Sequence, residues 1–438
     1  MPNCRLFLKQ SIGVPAVPVP GLAVGSKVKK GTLLAAQGAG LGIPLHASVS
    51  GTVASITENY IELLADEKQS DDFEPIPKSE DIAEMVKAAG LCGMGGAGFP
   101  TYVKLQTKLD GGVIIINSAE CEPLLKHNIK QITEDPKKAY RGLLLAMQAT
   151  KAGRGILAIK SKNAEAIKAF RSVLQNGDNV TIHELPDMYP MGEERAIIRE
   201  ALGTLLGVDQ LPAVAGAVIL NLETICRIAE AVDNRRPVIS KNVTVVGKLK
   251  NGRESHVFMD VPIGTQLTSL IDACGGIDGM FGEVIIGGPF TGVAAAPDSV
   301  VGKTTGGIIV TQDIPQEKRP LGLLVCACGG NEKRLRDLAE KMGAQVVSVR
   351  KCKQAQEVKG ALKCENPGNC PGQAEKILEM KKEGAQALLI SNCSDCSNTV
   401  MGVAPKLKPK MAVHHMTDHV MRTVGHPLIR HLPINAGQ

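Results

Sequence analysis

Twelve cysteines are the side chains best suited to chemistry in this 438-residue chain. Five are dispersed (Cys4, Cys92, Cys121, Cys226, Cys274). Seven fall after residue 325: Cys326, Cys328, Cys352, Cys364, Cys370, Cys393 and Cys396. The opening MPNCRLFLKQ shows no apolar core or cleavage site of a secretory signal. A reducing, cytoplasmic setting is therefore expected, where thiols are redox-active or metal-bound more often than disulfide-linked. Cys326 and Cys328 follow the apolar segment LGLLV, Cys352 follows AQVVSV, Cys393 and Cys396 follow ALLIS, and His414-His415 follow KMAV. If these segments are parallel strands, their carboxyl ends share one edge of the sheet, where sites form. Five thiols and two imidazoles are then expected on one crest, with Cys364 and Cys370 on a loop beside it. Cys393 would open a helix, where the dipole favours thiolate. Two kinds of chemistry fit. One is an iron–sulfur cluster held by Cys326, Cys328, Cys352, Cys393 and Cys396; the other is a redox dithiol relay centred on Cys326, Cys328, Cys393 and Cys396. Zinc would be redox-silent, and spacing alone does not choose among these. The two histidines sit just before a helix start at Thr417-Asp418, where histidine is more often structural than ligating.

A second chemical feature is LCGMGGAGFPT. Gly93, Gly95 and Gly98 match G-x-G-x-x-G, but a helix rather than a strand precedes them, so the dinucleotide fingerprint is incomplete. Glycines let backbone amides approach an anion, and the helix expected to run on through Tyr102 to Leu109 would add its positive end. Lys104 is placed to reach a phosphate.

Four segments must position these groups. In residues 1–78, the stretch from 14 to about 65 alternates short apolar β-type segments with Gly and Pro, in two similar halves, and the charged linker DEKQSDDFEPIPK follows. Residues 79–235 alternate helix and strand: Ser79 caps a helix, VIIIN and GILAIK are strands, and helices are expected near 136–150, 162–175, 193–202 and 222–233. Residues 236–318 hold a hairpin with its turn at Asn251-Gly252, a helix and the strand EVIIGG. Residues 319–438 alternate again, as a parallel sheet with helices near 331–342, 372–383 and 396–402. The fold class expected is multidomain α/β.

Composition excludes some functions. Basic and acidic residues, 50 and 44, leave a net charge of +6, too mild over this length to name a partner. With seven Phe, four Tyr and no Trp, the chain lacks the rings that single-stranded nucleic acid stacks on, so no nucleic-acid role is expected. No apolar run approaches the roughly 18 residues of a membrane span.

The segments GMGGAGFPTYVKL, INSAECEPLLKHN, MYPMGEERAII and LPAVAGAVILNLET, in that order, resemble the flavin-binding subunit of respiratory NADH dehydrogenase and the RnfC component of Rnf-type electron transport complexes. KKGTLLA and HASVSGTV resemble the N-terminal barrel-sandwich hybrid of RnfC. DVPIGTQLTSLI and GGPFTG look like its ligand-binding β-grasp module. The likeness covers about residues 1–318. It implies a barrel-sandwich hybrid, then an FMN- and NADH-binding α/β domain, then a β-grasp module, ahead of the Cys-rich parallel α/β domain. FMN would be surrounded by Gly93, Gly95, Gly96, Gly98, Lys104, Asn117, Glu122, Tyr189, Glu193, Glu194 and Asn221, with Phe99 near the nicotinamide. Taken alone, Glu193-Glu194 would equally suit a solvated helix start.

Two departures stand out. Ala119 replaces an acidic residue of the dehydrogenase subunit, and the two C-x-x-C-x-x-C-x-x-x-C-P runs of RnfC proteins are absent. LCGMGGAGFPT, SNCSDCSN and TDHVMRTVGHPLIR resemble the proline reductase-associated electron-transfer proteins of amino-acid-fermenting anaerobes. The expectation is thus a soluble carrier of reducing equivalents from NADH to a protein acceptor such as D-proline reductase. A peripheral subunit of a membrane-bound Rnf-type complex and a cofactor-less scaffold of the same fold are the alternatives.

Overall fold

A computed structural model of the protein describes residues 3–296 and 298–426. Its N-terminal part is two small antiparallel sheets. One orders the strands Cys4–Phe7, Tyr60–Ala65, Gly51–Ile56 and Lys27–Val28; the other orders Val17–Pro18, Leu33–Ala36 and Leu45–His46. Each of the two similar halves gives strands to both sheets. Along Tyr60–Ala65 the residues Ile61, Leu63 and Ala65 are buried and their neighbours are not, the period-2 alternation of a half-buried strand. The strand Cys4–Phe7 lies ahead of the region read as β-rich; it pairs antiparallel with residues 60–63.

The second part is a parallel sheet ordered Val180–Leu185, Arg154–Lys160, Val113–Ser118, Ala217–Asn221. Val113–Ile116 are fully buried between neighbours on both sides, which is why that run is continuously apolar. Three local expectations are corrected. Asp81, not Ser79, caps the helix Ile82–Ala88, its carboxylate accepting from the Ala83 amide. The helix after the glycine loop is only Thr101–Leu105, so it offers little dipole to an anion. An unforeseen helix, His127–Glu134, buries His127, Asn128 and Gln131 beside Ile132. Three of its four buried residues are polar, so no apolar stripe marked it.

His127 is held neutral by that burial, its pKa pushed down to about 4, with Nδ1 3.1 Å from the Thr244 hydroxyl. An unfolded histidine titrates near 6.5. The unfolded chain therefore binds the extra proton between those values, and stability falls as pH drops through that window. His127→Gln is expected to remove about 3 kcal/mol of the acid destabilisation between pH 7 and 4, at roughly 1.4 kcal/mol per unit. Urea midpoints at the two pH values check it; parallel pH curves for the variant and the parent would refute it.

The third part is a five-stranded mixed sheet ordered His256–Pro262, Ser240–Gly247, Gly307–Val310, Val284–Ile286, Val293–Ala294. All of Ser240–Gly247 is buried. The expected turn holds Gly252 at φ +107°. The fourth part orders Val346–Lys351, Leu321–Val325, Ala387–Ile390 and Ala412–His415, every neighbour parallel. A hairpin, Ala355–Val358 with Ala361–Cys364, was not foreseen. Its turn is Lys359-Gly360, both at positive φ, as a two-residue hairpin turn requires.

A buried ion cluster joins the third part to the fourth. Glu283 pairs with Arg334, with Lys341 at 2.8 Å and with His419 at 2.9 Å. Burial raises the Glu283 pKa, but hydrogen bonds from His419 and Arg334 outweigh it and hold the carboxyl well below its usual range.

Candidate functional site

The glycine loop, its neighbouring polar residues and two of the C-terminal thiols line one cavity of about 830 Å³, between loops of the second part and the carboxyl edge of the fourth. Gly93, Gly95 and Phe99 of the glycine loop line it. A Cβ on Gly95 would stand 3.1 Å from the Asn221 side chain, so the bare backbone keeps that wall open. Gly96 and Gly98 do not line the cavity; they sit at φ +122° and +66° and shape the turn. The loop closes on itself through the Gly93 amide to the Phe99 carbonyl, 2.8 Å, and the Gly98 amide to the Gly93 carbonyl, 3.1 Å.

Lys104 reaches the cavity from the short helix and donates to Glu194, 2.7 Å, and to the Ile219 carbonyl, 3.0 Å. Asn117, just before the end of its strand, donates to the Gly192 carbonyl at 2.9 Å. Asn221 caps the helix Leu222–Asp233, accepting from the Glu223 amide. Glu193 caps the helix Glu194–Leu202, accepting from the Ala196 amide at 2.9 Å. Each of these side chains lines the cavity while one of its bonds fixes the local backbone.

Glu122 also lines the cavity, but its carboxylate accepts from the Phe290 amide at 2.9 Å and from the Thr291 amide and hydroxyl at 2.8 and 2.6 Å. It thus fastens the third part's Phe290-Thr291 loop to the cavity rim. Desolvation in the cavity wall keeps its pKa raised despite those donors. Tyr189 donates its hydroxyl to the Cys328 carbonyl and stacks on Phe290, centroids 3.7 Å apart and planes 7° apart.

Two wall groups left unread in the sequence are Thr101 and Arg195. Arg195 donates to the Cys364 carbonyl and to Glu193 at 3.3 Å, yet its Nη1 is buried without a partner, as is Thr101 Oγ1. Nothing in their sequence context marks them, because their meaning comes from burial against the cavity.

The fourth part delivers its thiols as the strand order dictates. Cys326 and Cys328 follow Leu321–Val325, Cys352 follows Val346–Lys351, and Cys393 and Cys396 follow Ala387–Ile390. These five pack with Cys364, Tyr189 and Phe290, and Cys370 and Cys121 lie against them. Cys326 is in hydrogen-bonding contact with the Cys328 and Cys352 thiols, Cys328 also with Cys364 and Cys393, and Cys396 with Cys352 and Cys370. Bonds from Cys326 and Cys396 pull the Cys352 thiol down to about 3, and a bond from Cys396 lowers Cys370 to about 6. Cys393 is likewise lowered, by Cys328, while Cys326, Cys328 and Cys396 are raised.

The set expected to ligate a metal, Cys326, Cys328, Cys352, Cys393 and Cys396, packs into one buried group, in which Cys328 meets three other thiols. Among the described residues no group of three or more His, Cys, Asp or Glu is arranged to hold a metal ion. His414 bonds Glu317 at 2.8 Å, and His415 bonds Thr417 and the Asn392 carbonyl, so both histidines are engaged in the fold.

Cys328 and Cys364 line the cavity themselves, so the packed thiols and the glycine loop share one space. Cys121 lines it too, with its pKa pushed up to about 12 by burial and the neighbouring Glu122. Cys92 does not; it is fully buried behind the loop, raised to about 11 by that burial.

Comparison with known proteins agrees with this layout. Residues 86–230 match the Nuo51 FMN-binding domain, and residues 2–69 match the RnfC barrel sandwich hybrid domain. Cobalamin reductase PduS of Salmonella typhimurium is 38% identical over 53% of this chain and 50% of its own length, so the chain spans about half of that relative. The C component of the Na(+)-translocating ferredoxin:NAD(+) oxidoreductase complex of Acetobacterium woodii is 31% identical over 72% of this chain and 74% of its own. The C component of the proton-translocating ferredoxin:NAD(+) oxidoreductase complex of Clostridium ljungdahlii is 32% identical over 69% of each.

The cavity residues suit FMN. The volume falls within the roughly 300–1,000 Å³ of cofactor sites. Lys104 and the unpartnered Arg195 Nη1 and Thr101 Oγ1 are donors for phosphate or carbonyl oxygens, and Phe99 and Tyr189 offer flat apolar faces. No helix among the described residues is long and apolar enough to cross a membrane.

Proposed function

This chain belongs to the RnfC-like family, and from that premise we propose that it binds FMN in the cavity, takes reducing equivalents from NADH and passes them through its C-terminal thiols to a protein acceptor. The observation that carries the reading is the shared wall: Cys328 and Cys364 line the same space as Gly93, Phe99 and Lys104. FMN, when bound, supplies a hydride acceptor that can release electrons singly or in pairs.

The chain's own groups do the rest. Lys104 neutralises the phosphate, Arg195 Nη1 and Thr101 Oγ1 satisfy buried oxygens, and Phe99 and Tyr189 flank the planar rings. Glu122 keeps the Phe290-Thr291 loop, part of the module read as β-grasp, closed over the rim. The packed thiols give electrons a buried way out in place of the ferredoxin-type cysteine runs that the sequence lacks. The likeness in SNCSDCSN and TDHVMRTVGHPLIR makes D-proline reductase the acceptor to test, in a cytoplasmic setting. Residues 427–430 of the second segment lie outside the described residues.

An anaerobic spectrum tests this. Protein loaded with FMN is expected to show a flavin band that NADH bleaches. No retained chromophore, or a band indifferent to NADH, overturns the reading. Transfer onward only in the presence of membranes would favour a peripheral subunit of an Rnf-type complex over a free carrier.

A further inference from the structure

Three cations line the cavity: Lys104, Arg195 and Lys363. Lys104 is matched by Glu194 at 2.7 Å and Arg195 by Glu193 at 3.3 Å. Among the described residues, Lys363 is the one lining cation with no ion pair and no side-chain hydrogen bond, and it is exposed. It belongs to the fourth part, on the hairpin strand Ala361–Cys364, where it pairs with Gln356. Just beyond it the chain is clamped to the second part. Arg195 donates to the Cys364 carbonyl, and Arg199 donates to the Asn366 side chain at 2.6 Å and to the Pro367 carbonyl at 2.7 Å. An unpaired ammonium is thus held at the cavity on a backbone that is fixed on both sides.

Apolar groups stand at the same lip. Leu211 and Pro212 line the cavity from the second part, Leu362 and Pro367 from the fourth. Both segments flank the helix Glu194–Leu202: the turn Pro212–Ala215 packs against it, and its Arg199 holds residues 366 and 367. Leu211 is 69% exposed, so this lip has apolar surface still to cover. The 830 Å³ of the cavity is near the top of the roughly 300–1,000 Å³ range for ligand sites, which leaves room beyond one cofactor.

We propose that Lys363 and this apolar lip are the subsite for the adenylate half of the dinucleotide donor: the ammonium pairs with the diphosphate, and Leu211 and Leu362 carry the flat adenine. The inference rests on the function proposed above and adds the group that recognises the donor. The charge balance favours it. Lys104 and Arg195 each already face a carboxylate, and the phosphate of FMN draws on Lys104. A second ligand bringing two more negative charges needs a cation that nothing else compensates. Lysine meets phosphate as a point charge, and mostly apolar walls with a few placed polar groups are what orient a small ligand. The Cys-rich part then shares in the entry of reducing equivalents as well as their exit.

Two hydride donors test this. NADH carries the diphosphate and adenine; dihydronicotinamide riboside carries the same nicotinamide and no phosphate. In full-length protein loaded with FMN, Lys363→Met is expected to raise the NADH concentration for half-maximal flavin bleaching about tenfold, with the maximal rate kept. Lys363→Arg is expected to restore most of that loss. With the riboside, the half-maximal concentration is expected to stay within about twofold of the parent in both variants. High salt is expected to narrow the NADH gap, because the lysine is exposed. Equal losses with both donors would mark a structural role and overturn the subsite. So would a Lys363→Met protein that loses FMN affinity instead, or one that answers NADH as the parent does. Equilibrium dialysis of NADH against parent and variant separates the two readings. A binding gap of the expected size without bleaching breaks the proposed function alone. Bleaching with no gap breaks the subsite alone, and a parent that does not bind NADH breaks both.

Discussion

Replacing Lys104 with methionine is expected to weaken FMN binding by about 10- to 100-fold. The ammonium group reaches the cavity with Glu194 at 2.7 Å and the Ile219 carbonyl at 3.0 Å. A hydrogen bond to a charged group contributes about 1.5–3 kcal/mol, and each 1.4 kcal/mol is tenfold in affinity. Methionine keeps the apolar stem but leaves the Glu194 carboxylate uncompensated, which would repel a phosphate held there and push the effect toward the larger figure. Titration of the apoprotein with FMN, followed by flavin fluorescence, measures it. An affinity within twofold of the parent would remove Lys104 from the site.

Replacing Glu283 with alanine is expected to destabilise the protein by about 3 kcal/mol, the low end of the cost of breaking a buried ion pair, because Arg334 keeps a second partner. Arg334 is 8% exposed and would keep Asp337, at 2.9 Å, as its ionic partner; His419 would lose its 2.9 Å bond. Glu283 sits on the third part and its partners on the fourth, so the loss should appear as earlier hydrogen exchange in residues 321–426. The native pair has the same signature in pH. The Glu283 pKa is held below its ordinary 4.5, so its contribution is present above that pH and is lost as pH falls through the folded-state value. A urea midpoint and exchange pattern unchanged from the parent would refute both statements.

How much of this could be read from the chain depends on where each signal lives. The helix Leu222–Asp233 and the strand Val113–Ser118 are strongly patterned over their own length, and the sequence predicts them to within a residue. The helix His127–Glu134 hides because three of its four buried side chains are polar, His127 meeting Thr244 of the third part and Asn128 donating to Glu120, so no apolar stripe marks it. The hairpin ending at Cys364 hides because its strands are only four residues each, although Lys359-Gly360 is a turn signal.

The site divides the same way. Phase along parallel strands is a local property, so the sequence suffices to expect Cys326, Cys352 and Cys393 on one rim. That Cys364 and Arg195 meet across the cavity is a tertiary fact with no local trace. Gly96 and Gly98 look the same as Gly93 and Gly95 in one dimension; only the turn's geometry separates those that shape it from those that line the cavity.

The cavity's walls come from stretches far apart in translation order: the loop at 93–99, the segment 189–195 and the residues around 328 and 364. Domains generally fold in turn as they emerge from the ribosome. The early walls can therefore be in place while the last is still unmade, and the pocket lacks its thiol side until well over three hundred residues have been polymerised. A nascent chain would hold its prosthetic group weakly, and loading would be completed only after synthesis has passed residue 364.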